Sequence, residues 1–247
     1  MALEDTSIYI YPRLIVSNVA LIGGGKYPKP GEVSLAHHGV LFLDELTEFR
    51  KEALEMLRQP MEDGEVTISR MNATYTYPAR FTFISSTNPC PCGYYNDPHR
   101  ECTCSYLELK RYRKKLSGPL LDRIDLHIQI SRPSFEELTE NITVESSESI
   151  RERVTRARGI QNKRFKGCGI YYNSQMTAYL LKKHCVLDSI SQKLIKQAFQ
   201  TFKLSGRAYH RLVKVARTIA DLEGSKKISP EHMGEALQYR PTEHILE

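Results

Sequence analysis

Residues 39–45 constrain the fold more than any other part of this sequence. The apolar run Gly39-Val40-Leu41-Phe42-Leu43 leads directly into two adjacent carboxylates, Asp44 and Glu45. A strand without polar alternation is typical of a parallel sheet that helices cover on both faces. Open sheets of this kind bind their ligands beyond the carboxyl ends of the strands. The sequence therefore predicts an α/β fold with a ligand site at the two acids.

Adjacent acids in this position are typical of the Walker B motif of nucleoside triphosphatases. One carboxylate would lie near the Mg²⁺ of a nucleotide, and the other would polarise a water molecule. The alternative is a strand whose exposed end carries two solvated acids. A second apolar run, residues 81–86, leads into Asn88. Its amide would hold a water against a γ-phosphate, unless Asn88 is simply a turn residue before Pro89.

The positions of two arginines in the sequence would be explained by a bound nucleotide phosphate. Arg123 lies between Asp122 and Asp125, either as a surface ion-pair partner or as an arginine finger for a neighbouring subunit. Arg207 follows the predicted helix cap Ser205 and falls in the first helical turn. The helix dipole favours anions at that end, so a phosphate in front of Arg207 would account for its position.

These segments, in this order, resemble the AAA+ ATPases of the magnesium-chelatase-subunit-I-like group, specifically the ComM/YifB family. The resemblance rests on residues 31–45, 86–93, 116–125 and 205–211, and it extends from about residue 19 to the end of the chain. It implies that Asp44 is the Walker B metal residue and Glu45 the catalytic base. It further implies the roles of sensor 1 for Asn88, arginine finger for Arg123 and sensor 2 for Arg207, with Arg211 as a rival for the last role.

The same resemblance implies a fold, cofactors and partners. The fold would be an AAA+ parallel sheet with flanking helices, followed by an all-helical lid. The cofactor would be ATP with Mg²⁺, and the intact protein would form a homo-oligomeric, hexameric ring that acts on DNA in branch migration and recombination. Metal insertion into a porphyrin ranks last, because nothing in the sequence forms a porphyrin pocket.

The phosphate loop of the family is not found in this sequence. No G-x-x-x-x-G-K-[ST] occurs, and Gly23-Gly24-Gly25-Lys26-Tyr27 has the wrong glycine spacing and a tyrosine in place of the hydroxyl. The backbone amides and the lysine of that loop make most of the contacts that bind the nucleotide phosphates. We therefore expect weak or no ATP binding and no turnover by this polypeptide alone, as for an ATPase module with its front removed.

Four of the six cysteines form two C-x-C pairs, Cys90 with Cys92 and Cys102 with Cys104. Four thiolates are the number that a tetrahedral structural zinc requires, and His99 would be a substitute ligand. Free thiols in a flexible loop and a redox pair are the alternatives. The expected role of zinc is to stiffen an insertion next to Asn88.

Basic residues interleaved with tyrosines suggest nucleic-acid binding at three places, since cations track phosphates and aromatic rings stack on bases. The first is the predicted hairpin at residues 65–77 with Arg70, Tyr75 and Tyr77, and the second is the run Lys110-Arg111-Tyr112-Arg113-Lys114-Lys115. The third is the set Arg151, Arg153, Arg156 and Arg158. Ordinary sheet and solvated helix faces explain them equally well. A non-catalytic, zinc-stabilised nucleic-acid-binding or assembly module is therefore the alternative function.

Composition and periodicity complete the prediction. The chain has 247 residues, of which 40% are hydrophobic and 26% charged, and a formal net charge of +6, as in ordinary globular proteins. No apolar run of about 18 residues and no secretory signal is present, so we expect a cytoplasmic protein without membrane contact. The predicted domains are an irregular segment at 1–38, an α/β core at 39–145 with a strand at 126–130, and a lid of four helices at 146–247.

Overall fold

The computed structural model describes residues 9–10, 17–69, 73–133, 145–202 and 204–240. These residues fall into two compact units, of which the first extends to Ile124 and the second runs from Asp125 to Arg240. Arg70 of the predicted hairpin and residues 134–144 lie outside the described residues.

In its described residues, the first unit combines seven short strands with six helices and one 3₁₀ turn at Leu46–Glu48. The strands are β1 (Tyr9–Ile10), β2 (Gly23–Gly24), β3 (Lys29–Pro30), β4 (Val40–Leu43), β5 (Glu65–Ser69), β6 (Thr74–Pro78) and β7 (Thr82–Ser85). The helices are α1 (Asn18–Ile22), α2 (Glu32–Leu35), α3 (Lys51–Met56), α4 (Arg58–Asp63), α5 (Tyr106–Arg113) and α6 (Gly118–Leu121).

The central sheet consists of three parallel strands in the order β1-β4-β7. Strand β4 lies in the middle, and Leu41 and Leu43 are completely buried in the core of this unit. Because Leu43 pairs with Ser85, β4 and β7 end level with each other. The predicted parallel α/β sheet is confirmed, and it places the residues after both strands at one edge.

Two other strand predictions have different outcomes. The hairpin is confirmed as the antiparallel pair β5 and β6. The strand at 126–130 is wrong: these residues form no regular structure, and Leu126, Ile128 and Ile130 are 47%, 68% and 87% exposed. An alternating apolar pattern becomes a strand only when a neighbouring backbone pairs with it, and no described strand does so here.

The second unit is helical. It contains α7 (Ser147–Arg164), α8 (Ala178–His184), α9 (Ser189–Thr201), α10 (Gly206–Glu223) and α11 (Pro230–Gln238), with a 3₁₀ turn at Asn173–Gln175. Each of the five helices begins at a residue whose side-chain oxygen accepts a backbone N–H, as expected for an N-cap. The four predicted helices are confirmed as α7, α9, α10 and α11, and the seven-residue α8 was not predicted.

A buried ion network crosses the core of the helical unit. Asp221 on α10 is 1% exposed and accepts hydrogen bonds from Arg164, Arg217 and Asn173. Burial lowers the pKa of Arg217, while the Asp221 carboxylate opposes that shift. The paired charges satisfy one another, so their burial is tolerated.

Among the described residues, no helix is both long enough and apolar enough to cross a membrane.

Candidate nucleotide site and cysteine cluster

Asp44 and Glu45 follow directly after β4, at the edge where β7 also ends. The hydroxyl of Ser86, the first residue after β7, donates a hydrogen bond to the Asp44 carboxylate. The Glu45 amide lies 3.1 Å from that carboxylate and 3.2 Å from the Ser86 hydroxyl. The Leu46 amide donates to the Ser86 carbonyl at 2.8 Å. Ser86 therefore fixes the orientation of Asp44, a role that no motif in the sequence indicates.

Glu45 adopts a left-handed backbone conformation, with φ 50° and ψ 50°. Residues other than glycine enter this region at a cost of about 1–2 kcal/mol, because Cβ crowds the following carbonyl. The strained turn leaves the Glu45 side chain exposed beside Asp44. Strain of this kind is frequent at functional sites, where surrounding hydrogen bonds maintain it.

Asn88 lies two residues beyond Ser86 at the same edge, and its backbone is held from the side of α5. The buried Tyr112 hydroxyl donates to the Asn88 carbonyl at 3.2 Å and accepts from the Thr47 hydroxyl at 2.6 Å. The Thr47 hydroxyl also lies 3.3 Å from that of Thr87. These bonds tie the turn after Asp44 to the turn that carries Asn88, whose side chain is left exposed.

Arg123 lies elsewhere in the first unit. Its guanidinium donates to the Pro119 carbonyl at 2.7 Å and lies 3.4 Å from the Glu62 carboxylate. The side chain is 10% exposed and borders a cavity of about 540 Å³ lined by residues of α3, α4 and β5. An arginine finger acts on a neighbouring subunit, so the role predicted for Arg123 is compatible with this position and stays a prediction.

Arg207 and Arg211 both lie on α10, in the helical unit. Arg207 is in the first turn, directly after the Ser205 cap, whose hydroxyl accepts from the Ala208 amide at 3.1 Å. Arg211 lies one turn further along and pairs with Asp125 at 2.7 Å. The predicted sensor 2 residue therefore does stand at a helix N-terminus, where a phosphate would be attracted.

The glycine-rich segment before β3 is a hairpin turn. Gly23 and Gly24 pair with Pro30 and Lys29 in an antiparallel bridge. Gly23 has φ 107°, and a Cβ on it would lie 2.6 Å from the Lys29 carbonyl oxygen, so glycine is required there by the turn itself. A phosphate loop instead leads into a helix N-terminus.

The four predicted cysteines are brought together. Their Sγ atoms all lie within 4.8 Å of one another, with Cys90 3.3 Å from Cys92, and Cys102 3.5 Å from Cys92 and 3.7 Å from Cys90. A tetrahedron of thiolates around Zn²⁺, with Zn–S of about 2.3 Å, has S–S edges of about 3.8 Å. The cluster is therefore compact enough to hold one zinc ion. Among the described residues His99 is not part of it, and four thiols complete the set without a histidine.

The thiols of the cluster have different environments. The Tyr94 backbone amide hydrogen-bonds to the Cys92 sulfur and lowers the pKa of Cys92 to about 5. Partial burial raises the pKa of Cys104 to about 12. A cation at the centre would allow all four groups to ionise together.

Comparison with known proteins decides the family. The profile described as magnesium chelatase, subunit ChlI, matches residues 3–138, and that of the ChlI C-terminal region matches residues 144–240. The chain belongs to the magnesium chelatase subunit ChlI family. The predicted AAA+ fold class, with a parallel sheet and a helical C-terminal part, is thereby confirmed.

Within the ChlI family, the resemblance to ComM and YifB is also confirmed. The chain is 43% identical to the competence protein ComM of Haemophilus influenzae over 96% of its length, and 41% identical to the uncharacterized protein YifB of Escherichia coli over 95%. It spans only 45% and 46% of those two proteins. A magnesium-chelatase 38 kDa subunit of Acidiphilium rubrum is 34% identical over 28% of the chain and 20% of that subunit.

In this ChlI-family chain, three predicted site residues share one place. Asp44, Glu45 and Asn88 lie beyond the ends of two paired parallel strands, and Ser86, Thr47 and Tyr112 connect them. Arg123 lies apart in the same unit, and Arg207 and Arg211 belong to the helical unit. The only sequence signal for the role of Ser86 is its position directly after a strand. The sequence gives no signal for the role of Tyr112.

Proposed function

We propose that this chain is an ATPase module of a ring-forming, DNA-processing protein. The observation that carries the proposal is the shared edge at which Asp44, Glu45 and Asn88 meet. Asp44, held by the Ser86 hydroxyl, would bind Mg²⁺, which when present would neutralise phosphate charge. The exposed Glu45 would polarise the attacking water, and Asn88 would orient it without adding charge.

The remaining roles depend on a homo-oligomeric, hexameric ring. In it, Arg123 would reach the nucleotide of a neighbouring subunit and stabilise the charge of the transferring phosphoryl group. Arg207, at the N-terminus of α10, would contact the γ-phosphate, and Arg211 is the rival residue. DNA is the proposed partner, supported by the similarity to a competence protein and by the mild excess of positive charge.

The nucleotide site of this chain alone is incomplete. The sequence contains no phosphate loop, and its glycine-rich segment forms β2 and the start of the turn to β3. Two carboxylates facing a triphosphate repel it unless Mg²⁺ lies between them. We therefore propose that ATP binding by this polypeptide is weak and depends on Mg²⁺, and that no turnover occurs.

Nucleotide binding and phosphate release by the purified chain test this proposal. ATP titrations with and without Mg²⁺ should show binding no tighter than millimolar, and Asp44→Asn should abolish it. Phosphate release should equal that of Glu45→Gln. Micromolar affinity, or release above that of Glu45→Gln, contradicts the incomplete site. If no Mg²⁺-dependent binding occurs and DNA still binds, the chain is a non-catalytic module instead.

The cysteine cluster favours that second candidate, a zinc-stabilised nucleic-acid-binding or assembly module. One Zn²⁺ held by Cys90, Cys92, Cys102 and Cys104 would join the loop after Asn88 to the start of α5. Metal analysis of protein purified without chelators should give about one zinc per chain. Cys92→Ser should lose the metal, while Cys168→Ser, an exposed thiol outside the cluster, should retain it. Absence of zinc from the wild-type chain contradicts the proposal.

A further inference from the structure

Helix α5 is fixed at its start by a complete cap. Ser105 follows Cys104 directly, and its amide donates to the Glu108 carboxylate at 2.8 Å while its hydroxyl accepts from the Glu108 amide at 3.4 Å. The hydrogen bond from the Ser105 backbone lowers the pKa of Glu108. Glu108 is the only acid between residues 105 and 116, and the cap occupies it.

The inner side of α5 is anchored to the candidate nucleotide site. Tyr112 is 8% exposed, and its hydroxyl bonds to Thr47 and to the Asn88 carbonyl. The helix is therefore held in a defined orientation, and its opposite side is presented outward.

The outer side of α5 combines exposed apolar groups with a row of cations. Tyr106 and Leu107 are 72% and 71% exposed in the first turn. Lys110, Arg111 and Lys114 follow Leu107 at spacings of three, four and seven residues, which places them on one helical face. All three are exposed, and the Lys110 ammonium lies 5.7 Å from the centre of the Tyr106 ring.

These three cations make no ion pair within the described part of the chain. The contrast is α7, where Arg153 pairs with Glu145, Arg164 pairs with Asp221, and the Arg158 guanidinium stacks on Tyr172 at 3.7 Å. These three α7 cations thus make contacts within the chain. The α5 row therefore keeps three exposed cations outside ion pairs, although Arg111 lies close enough to Glu108 for its charge to contribute to the lowered pKa of that carboxyl.

The cysteine loop adds two cation–ring pairs beside the helix. The Arg100 guanidinium lies 4.0 Å from the centre of the Tyr94 ring and donates to its hydroxyl at 2.8 Å. The Arg113 guanidinium lies 4.7 Å from the centre of the Tyr95 ring. The Arg113 contact joins the loop to α5, the Arg100 contact lies within the loop, and both keep a further cation nearby.

We propose that the outer face of α5, formed by Tyr106, Leu107, Lys110, Arg111 and Lys114, binds single-stranded nucleic acid. The cations contact successive phosphates, and the exposed Tyr106 ring stacks on an unpaired base. A duplex keeps its bases stacked on one another, so it offers no base face to Tyr106. The inference rests on the proposed DNA-processing function, for which it names the contact surface.

Fluorescence anisotropy with a labelled oligothymidine tests the surface in the full chain. The triple variant Lys110→Gln/Arg111→Gln/Lys114→Gln should weaken binding at least tenfold at about 50 mM salt. It should also reduce the slope of log affinity against log salt by about 2, because each phosphate contact on a single strand contributes about 0.7. The matched control Lys182→Gln/Lys193→Gln/Lys196→Gln removes the same charge from exposed positions of α8 and α9 and should bind like wild type.

A second pair of variants isolates the base contact. Tyr106→Ala should weaken binding by about fivefold or more at unchanged salt slope, since stacking is not ionic. Tyr179→Ala is the control, because Tyr179 has the same 72% exposure and lies at the start of α8. All of these side chains are exposed, so circular dichroism should show unchanged folding.

The outcomes separate the two proposals. If the wild-type chain binds no oligonucleotide, the DNA partner in the proposed function is wrong. If the chain binds but the α5 variants bind as tightly as the control variants, the α5 surface is wrong and the DNA partner stands. Binding of a duplex in preference to the single strand also overturns the α5 inference.

Discussion

The Tyr112 hydroxyl joins three segments that are far apart in sequence. It accepts from Thr47, which follows the predicted Walker B acids, and donates to the carbonyl of Asn88, the predicted sensor. Because the ring is buried, neither bond is replaced easily by water. Together with the bonds of Ser86 and the Thr47–Thr87 contact, this side chain therefore holds Glu45 and Asn88 in position relative to each other.

Removing that hydroxyl should destabilise the first unit without changing its packing. We expect Tyr112→Phe to lower the free energy of unfolding by about 1–2 kcal/mol, the usual cost of leaving buried partners unsatisfied. Tyr106→Phe, in the same helix but exposed, should change it by less than about 0.5 kcal/mol. Urea unfolding of both variants makes the comparison, and equal midpoints would show that the Tyr112 bonds contribute nothing to stability.

Asp44, Glu45 and Asn88 could be predicted as site residues from their neighbours in the sequence. An apolar run ending in Asp44-Glu45 and another ending near Asn88 are visible in the sequence because each involves only neighbours along the chain. The contacts of Ser86 and Tyr112 span 42 and 65 residues, and no periodic pattern marks such pairs. Thr47 illustrates the difference: its hydroxyl suits a helix cap, but it bonds to Tyr112 instead, and α3 begins after Arg50.

At the scale of elements, helix signals were more reliable than strand signals. Helices α7, α9, α10 and α11 all begin at a cap, and α9, α10 and α11 also bury one apolar face, which the sequence displays directly. Helix α8 has only seven residues, too few for a clear period. The pattern at 126–130 has the right alternation, but a strand also needs a paired neighbour, which the sequence of the segment does not contain.

The loop that carries the cysteine cluster should respond to pH through its thiols. The pKa of Cys104 is raised to about 12, so without metal this thiol is protonated at neutral pH and must lose its proton to bind zinc. The pKa of Cys92 is lowered to about 5, so this thiolate persists until the pH falls to that range. Zinc affinity should therefore fall continuously on acidification, because protons compete with Zn²⁺ for the four thiolates.

A chromogenic chelator measures the zinc released on acidification. Wild type and Cys168→Ser should follow the same curve against pH, because Cys168 is exposed and outside the cluster. Cys104→Ser should release its zinc at higher pH than wild type, since three thiolates hold the ion less tightly than four. Release that does not depend on pH would exclude thiolate ligands.

At the scale of the whole molecule, the two units have separate cores. The first is built around β4, with Leu41, Leu43 and Leu54 at its centre, and the second around α10, with Leu212, Ala216 and Met233. The family could be predicted because its motifs are short and local. The division between Ile124 and Asp125 could not, because it reflects contacts between residues that are distant in sequence within each core. Each unit has enough buried apolar surface of its own that we expect two unfolding transitions.

Asp221 provides a way to separate those transitions. Asp221→Asn keeps the shape but leaves Arg164 and Arg217 without their carboxylate, and removing one partner of a buried ion pair costs about 3–5 kcal/mol. The helical signal in circular dichroism should therefore be lost at lower urea, while zinc release, which reports on the first unit, should be unchanged. Asp125→Asn is the matched control: its pair with Arg211 involves a carboxylate that is 52% exposed, so both transitions should shift little. If Asp221→Asn moves both transitions together, the two cores unfold as one; if it moves neither, the buried network is not a stabilising element of the helical unit.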